Sequence, residues 1–213
     1  HGASRDIFEN AVKIINNEIN SASDNPLILK DGSIVSSGHF HAEHIAQSLD
    51  TLAIAFSELG AISERRIHNF MKGVKGKFEP FVTVTPGLES GYMIAHVTAT
   101  ALASENKTLA HPASVDSINS SAGQEDLVSM APWAGNKLLM IQENISSILS
   151  IELLVSCAVN YISSANLKSG LGIRKIISYV KNKCEFDIGD RALYDEIASL
   201  KEFIDTGDLI EQV

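Results

Sequence analysis

Two stretches of helical periodicity, residues 41–71 and 125–159, constrain this chain more than any other feature. Ile45, Leu49, Leu52, Phe56, Leu59 and Ile62 fall on one face of the first. The second carries one charge, Glu152, between Asn144 and Asn160. At roughly 1.5 Å per residue these helices would measure about 46 Å and about 52 Å. A compact domain of 213 residues has a radius of gyration of only about 17 Å. Such helices point to an all-α protein built as an elongated bundle. A third helix, expected over about 88–109, has no formal charge between Glu89 and Glu105. Its small residues, Ala95, Thr98, Ala99 and Ala103 among them, are spread round the cylinder, so burial on all sides is expected. These rods leave apolar surface for partner copies, and a homo-oligomer is expected.

The rest of the chain reads as short elements. Ile7, Ala11, Ile14, Ile15 and Ile19 predict an amphipathic helix from Ser4 to Ile19. A polar loop follows and ends at Pro26. Leu27-Ile28-Leu29 and Ser33-Ile34-Val35 flank Lys30-Asp31-Gly32, the pattern of a short hairpin and the only sheet expected. Gly and Pro make a loop of 72–87, and 111–124 is irregular. Residues 163–172 read as a linker, with short surface helices at 173–183 and 191–203. Two domains are therefore expected: a helical bundle over 1–162 that includes the pocket loops, and a small helical appendage over 163–213.

Composition excludes several classes. Apolar residues make up 45% and charged residues 20%, which rules out a disordered chain. With 17 basic against 26 acidic residues the net charge is −9, and no basic patch suits a nucleic-acid partner. No uncharged apolar run reaches the roughly 18 residues of a membrane span, and no signal peptide is visible. Only two cysteines occur, Cys157 and Cys184, so no disulfide framework is expected and a cytoplasmic setting fits. The chain opens at His1 without Met, as a truncated or processed piece would.

Four constellations could carry chemistry. His39-Phe40-His41-Ala42-Glu43-His44 holds three imidazoles and a carboxylate, but its spacing fits no standard zinc template, so no metal is expected. Glu64-Arg65-Arg66 could hold a carboxylate or pair structurally. His96 reads as a satisfied core histidine. Ser120-Ser121-Ala122-Gly123-Gln124-Glu125-Asp126 sets acids at an expected helix start, where they would cap the helix or project one carboxylate into a cleft. No Walker loop, Rossmann glycine run, nucleophile elbow or cysteine cluster occurs.

Phrases along the chain resemble the aromatic amino-acid ammonia-lyases, and among them the histidine ammonia-lyase branch. Asn20-Ser21-Ala22-Ser23-Asp24-Asn25-Pro26-Leu27 is similar to the family's NSATDNPL, and Gly38-His39-Phe40-His41 to GNFH. Ser63-Glu64-Arg65-Arg66-Ile67 resembles SERRI, and Ser90-Gly91-Tyr92-Met93-Ile94-Ala95 resembles SGFMIA. Ala103-Ser104-Glu105-Asn106-Lys107 and His111-Pro112-Ala113-Ser114-Val115-Asp116-Ser117 match family phrases outright. Gln124-Glu125-Asp126 with Val128-Ser129-Met130 falls on QEDHVSM. These phrases run in order over about residues 1–160.

The resemblance implies an elongated all-α homotetramer acting on an aromatic amino acid such as L-histidine. It implies a methylidene-imidazolone electrophile, made from an Ala-Ser-Gly tripeptide, with no external metal or organic cofactor. Ammonia would leave to give an unsaturated acid such as urocanate. No Ala-Ser-Gly occurs in these 213 residues, so the chain is expected to be the C-terminal portion of such an enzyme, inactive alone and completed by an N-terminal half. The resemblance assigns Glu125 to catalysis and Phe40 and Gln124 to substrate binding. Five positions depart from the family pattern: His39 for Asn, Glu89 for Asn, His96 for Gln, Gly123 for Asn and Leu127 for His. Two alternatives accompany this reading: a catalytically inactive helical scaffold or assembly partner, and an aminomutase of the same family.

Overall fold

A computed structural model describes residues 1–163, 168–186 and 189–211. Its helices are α1 (Gly2–Ile19), α2 (Glu43–Met71), α3 (Met93–Leu109), α4 (Ala131–Ile162), α5 (Leu171–Lys181), α6 (Tyr194–Asp205) and α7 (Asp208–Glu211). Strands β1 (Leu27–Ile28) and β2 (Ile34–Val35) pair antiparallel, Leu27 opposite Val35 and Ile28 opposite Ile34. Asp31 holds the turn between them by accepting from the Ser33 amide and hydroxyl at 3.0 and 2.6 Å. The described residues thus form an all-α protein with one hairpin. The linker expected over 163–172 lies partly outside the described residues.

The chain forms two compact units, His1–Leu59 with Lys107–Gln142, and Gly60–Asn106 with Glu143–Val213. α2 and α4 each contribute one stretch to either unit.

In the first unit the buried apolar side chains are mostly small, Ala11, Ala46, Ala53, Ala113 and Ala134 with Leu52 and Ile141. Polar anchors supplement so thin a core. Asp50, 3% exposed, accepts from the amides of Ala113 and Ser114 at 3.0 and 2.8 Å. Lys137 is equally buried, lies 3.7 Å from Asp50 and donates to the His111 carbonyl. A buried carboxylate with two amide donors and a cation is satisfied in every direction. The start of the 111–130 loop is thereby fixed to α2 and α4.

The second unit has the larger core. Ile67, Ile148, Ile151, Leu154, Val155, Val180 and Leu200 pack with Ala95, Ala99 and Ala103. The isolated charge of the 144–160 stretch, Glu152, is matched here: Ser63 donates to it at 2.6 Å, and Arg66 forks onto both of its oxygens. Bidentate pairing explains how an apolar stretch tolerates a carboxylate. Asp190 accepts from the Ser90 and Gly91 amides at 2.8–3.0 Å, ahead of α3. Gly91 has φ +53, and a Cβ there would meet the Phe81 carbonyl oxygen at 2.5 Å, so only glycine fits. Tyr179 of α5 stacks on Phe203 of α6, with ring centroids 3.8 Å apart.

Two sequence expectations are corrected. α4 begins at Ala131, not at 125, with Pro132 in its first turn, where a missing N–H costs nothing. The acids at 125 and 126 therefore do not cap a helix. α3 begins at Met93 rather than 88, and only its Ala95, Ala99, Ala103 and Asn106 face is buried. Ile94 and Val97 stand 62% and 54% exposed. Small residues allow close packing on any side, so the sequence cannot say which side has a neighbour within the chain. By length and composition, His39–Met71 and Ala131–Ile162 could each cross a membrane. Their buried faces and polar anchors make them core helices of the two units.

Candidate functional site

An open pocket of about 460 Å³ lies in the first unit, and Phe40 and Glu125 both line it. Residues far apart in sequence reach it from two local structures.

The first is a tight turn. Gly38 precedes a single 3-10 turn, His39–His41, in which His41 N–H donates to the Gly38 carbonyl. Ala42 then takes a left-handed conformation, φ 62 and ψ 28, and its carbonyl accepts the first α2 hydrogen bond from Ala46. This abrupt reversal leaves the Phe40 ring 55% exposed at the pocket wall. Beside it, His41 and Glu43 pair at 3.0 Å.

The second is the loop between α3 and α4. Ser117 Oγ accepts from the Val128 amide at 2.8 Å and ties its limbs together. Further out, Ser120 and Glu125 exchange both backbone hydrogen bonds. The turn between them has φ of 54, 57 and 86 at Ser121, Ala122 and Gly123. Left-handed backbone at two residues with a Cβ costs roughly 1–2 kcal/mol each. Strain of this kind persists where surrounding bonds impose it, and it concentrates at functional sites. Here the Ser120–Glu125 bridge and the Ser117 clamp impose it. The effect is to hold Glu125 on the pocket wall, outside any helix. Met130, also left-handed at φ 59, bends the chain into α4.

Ser120, Leu127 and Ser129 also line the pocket, with Ile118, Met130 and Pro132 adding apolar wall. Its chemistry is one acceptor carboxylate, the His41 imidazole, small hydroxyls and an aromatic ring, suited to a ligand with an aromatic body and an N–H donor. Of the residues that the resemblance assigns to catalysis and substrate binding, Phe40 and Glu125 come together here, and His41 of the histidine cluster joins them. Gln124 closes the turn before Glu125 and does not line the pocket. Ile118, Met130 and Pro132 carry no chemical signature that sequence reasoning could catch; only their nearness to Glu125 in the chain hints at them.

The departures from the family pattern separate by unit. Leu127 is on the pocket wall, and Gly123 occupies the most open left-handed position of the turn. Glu89 and His96 belong to the second unit. Thr83 donates to Glu89 at 2.7 Å, and this bond and one from Thr85 hold its carboxyl below the usual range. His96 lies 3.2 Å from the buried Glu64, which also accepts from Thr100 and pairs with Arg65. His96 is thus a satisfied, half-buried histidine at the edge of the core, and Glu64-Arg65-Arg66 pairs structurally on both sides.

The sequence profile of the family described as "Aromatic amino acid lyase" matches residues 1–182. The chain belongs to that family. A histidine ammonia-lyase of Caldanaerobacter subterraneus subsp. tengcongensis is 44% identical over 213 residues, covering 99% of this chain and 42% of that protein. The crystal structure of histidine ammonia-lyase from Trypanosoma cruzi superposes with a TM-score of 0.92 at 39% identity, covering all of this chain and 42% of that one. A tyrosine aminomutase from Streptomyces globisporus gives the same TM-score at 30% identity, covering 99% and 40%. The fold is therefore that of the helical ammonia-lyases, and the chain spans about two fifths of the length of the relatives it matches.

Proposed function

We propose that this chain is the C-terminal part of a histidine ammonia-lyase, contributing one wall of the substrate pocket and helices of a homotetramer. The observation that carries this reading is the convergence of Glu125 and Phe40 on one pocket, with Glu125 held there by a strained, clamped turn. The relatives named above support the substrate class.

A carboxylate on the wall can accept a hydrogen bond from an imidazole N–H and hold a proton at its oxygen. The exposed Phe40 ring supplies an apolar surface against the substrate's ring and excludes water from that side. Gln124, one residue before Glu125, sets the approach of the loop rather than the wall itself. The methylidene-imidazolone group would supply the electrophile. Its Ala-Ser-Gly precursor does not occur in these 213 residues, so it belongs to a segment that completes the pocket. The open face of the pocket fits such completion.

The test joins this chain to a family N-terminal half carrying Ala-Ser-Gly and follows urocanate formation from L-histidine. The joined protein turns over, and Glu125→Gln lowers the rate by about 10²-fold or more with an unchanged circular dichroism melt. An unchanged rate would mean that Glu125 serves only the turn. The 213-residue chain by itself shows no turnover, and activity from it overturns the incomplete-pocket reading. A joined protein inert towards every aromatic amino acid leaves the scaffold reading, which Leu127 on the wall favours. The equal structural match to a tyrosine aminomutase favours a second reading, in which ammonia returns to the β-carbon. A β-amino acid product would identify it.

A further inference from the structure

We propose that Glu18, His39 and His44 form a binding site for a zinc-type divalent cation that fastens the last turn of α1 to the start of α2. One ligand atom from each of the three side chains lies within 4.8 Å of the other two. Glu18 Oε2 and His39 Nε2 are 2.9 Å apart, with side chains 16% and 33% exposed. The rings of His39 and His44 lie 5.9 Å apart, tilted by 51°.

The geometry needs little adjustment. Zinc bonds of about 2.0–2.1 Å in tetrahedral array place ligand atoms about 3.4 Å apart. The Glu18–His39 edge is already inside that spacing, so closure falls to His44. Its exposed ring stands on the first turn of α2 and can swing through its rotamers. A simple imidazole–carboxylate pair would need no third group, yet a second imidazole nitrogen stands within 4.8 Å of both atoms of the pair. His41, between them in sequence, is engaged with Glu43 instead and does not compete.

The donor set selects the ion. Two imidazoles and one carboxylate suit zinc and its neighbours in the first transition row, not the all-oxygen shells of calcium or magnesium. The carboxylate leaves a charge of +1 on the complex, and the fourth position is open to water. Three ligands from three local elements cross-link them, even though the water-filled fourth position leaves the site open rather than closed by a fourth side chain. Because Phe40 follows His39 directly, an ion on His39 would also steady the turn that presents the Phe40 ring. Neither the site nor its test depends on the lyase reading.

The test is calorimetric titration of the full 213-residue chain with Zn²⁺. One equivalent binds, and His39→Asn, His44→Asn and Glu18→Gln each weaken it at least tenfold, while His111→Asn leaves it unchanged. X-ray absorption at the zinc edge of the loaded parent chain shows imidazole and carboxylate oxygen neighbours. That measurement needs no variant and survives a variant that fails to fold. The proposal is overturned if no Zn²⁺ binds, if the His39 and His44 variants bind as tightly as the parent, or if the zinc neighbours are sulfur.

Discussion

Single residues decide how the site is held, and their chemistry is tractable one group at a time. Glu125 owes its place to neighbours outside the pocket lining: Ser117, whose hydroxyl clamps the loop, and Ser121 and Ala122, which accept left-handed backbone. The two cysteines are the opposite case, groups whose surroundings silence them. Burial raises the Cys157 thiol to about 11 and the Cys184 thiol to about 12. Both therefore stay protonated at neutral pH and are poor nucleophiles. A thiol reagent at about pH 8 should label neither in the folded chain and both after urea unfolding. The same shifts bear on stability. A raised folded-state value favours the folded form below the thiol's ordinary value of 9.0, and that contribution fades as pH rises towards 11 and 12. Melting temperature should thus fall more steeply above pH 9 in the parent than in a Cys157→Ala, Cys184→Ala variant. Parallel curves would show that the thiols carry no alkaline sensitivity.

At the scale of elements, α4 shows how one helix serves two purposes. Leu154 is fully buried among Ile151, Val155 and the α3 alanines, whereas Leu139 is 62% exposed. Leu154→Ala should cost about 2–5 kcal/mol in urea unfolding of this chain, and Leu139→Ala less than about 0.5 kcal/mol. Similar costs at both positions would contradict this division of the helix. The sequence made α1, α2 and the hairpin legible, because periodicity and the Asp31-Gly32 turn are local signals. The start of α4 was not legible, since Glu125 and Asp126 resemble capping acids and Pro132 is as acceptable inside a first turn as before one. The buried side of α3 was hidden for a different reason: alanines and threonines all round its cylinder leave no hydrophobic stripe to read. Phe40 and Glu125 could be nominated from family phrases, but their meeting is tertiary, as is the approach of Glu18 to His39 and His44. No spacing rule reaches across a helix, a hairpin and a turn.

For the whole molecule, the question is what covers the apolar side chains that the chain leaves outside. Ile94 and Val97 on α3, Ile54 on α2, and Trp133, Leu139 and Met140 on α4 all stand between 44% and 62% exposed. Isolated exposed apolar residues are ordinary, but here they recur on three long helices that also carry the cores of both units. Full burial of a large aliphatic or aromatic side chain brings roughly 1.5–3 kcal/mol, and these half-exposed ones forgo about half of that each. Self-association would recover that free energy, which is the ground for testing the homotetramer proposed above. The chain should therefore sediment as an oligomer whose size grows with concentration. Ile94→Glu and Leu139→Glu should shift it towards the monomer, because a desolvated carboxylate at a contact has no partner. Their helical circular dichroism should match the parent, since both positions face away from the cores. A parent chain that stays monomeric at every concentration would leave these faces to other segments of the protein and remove the copy-on-copy contact from this part of the structure.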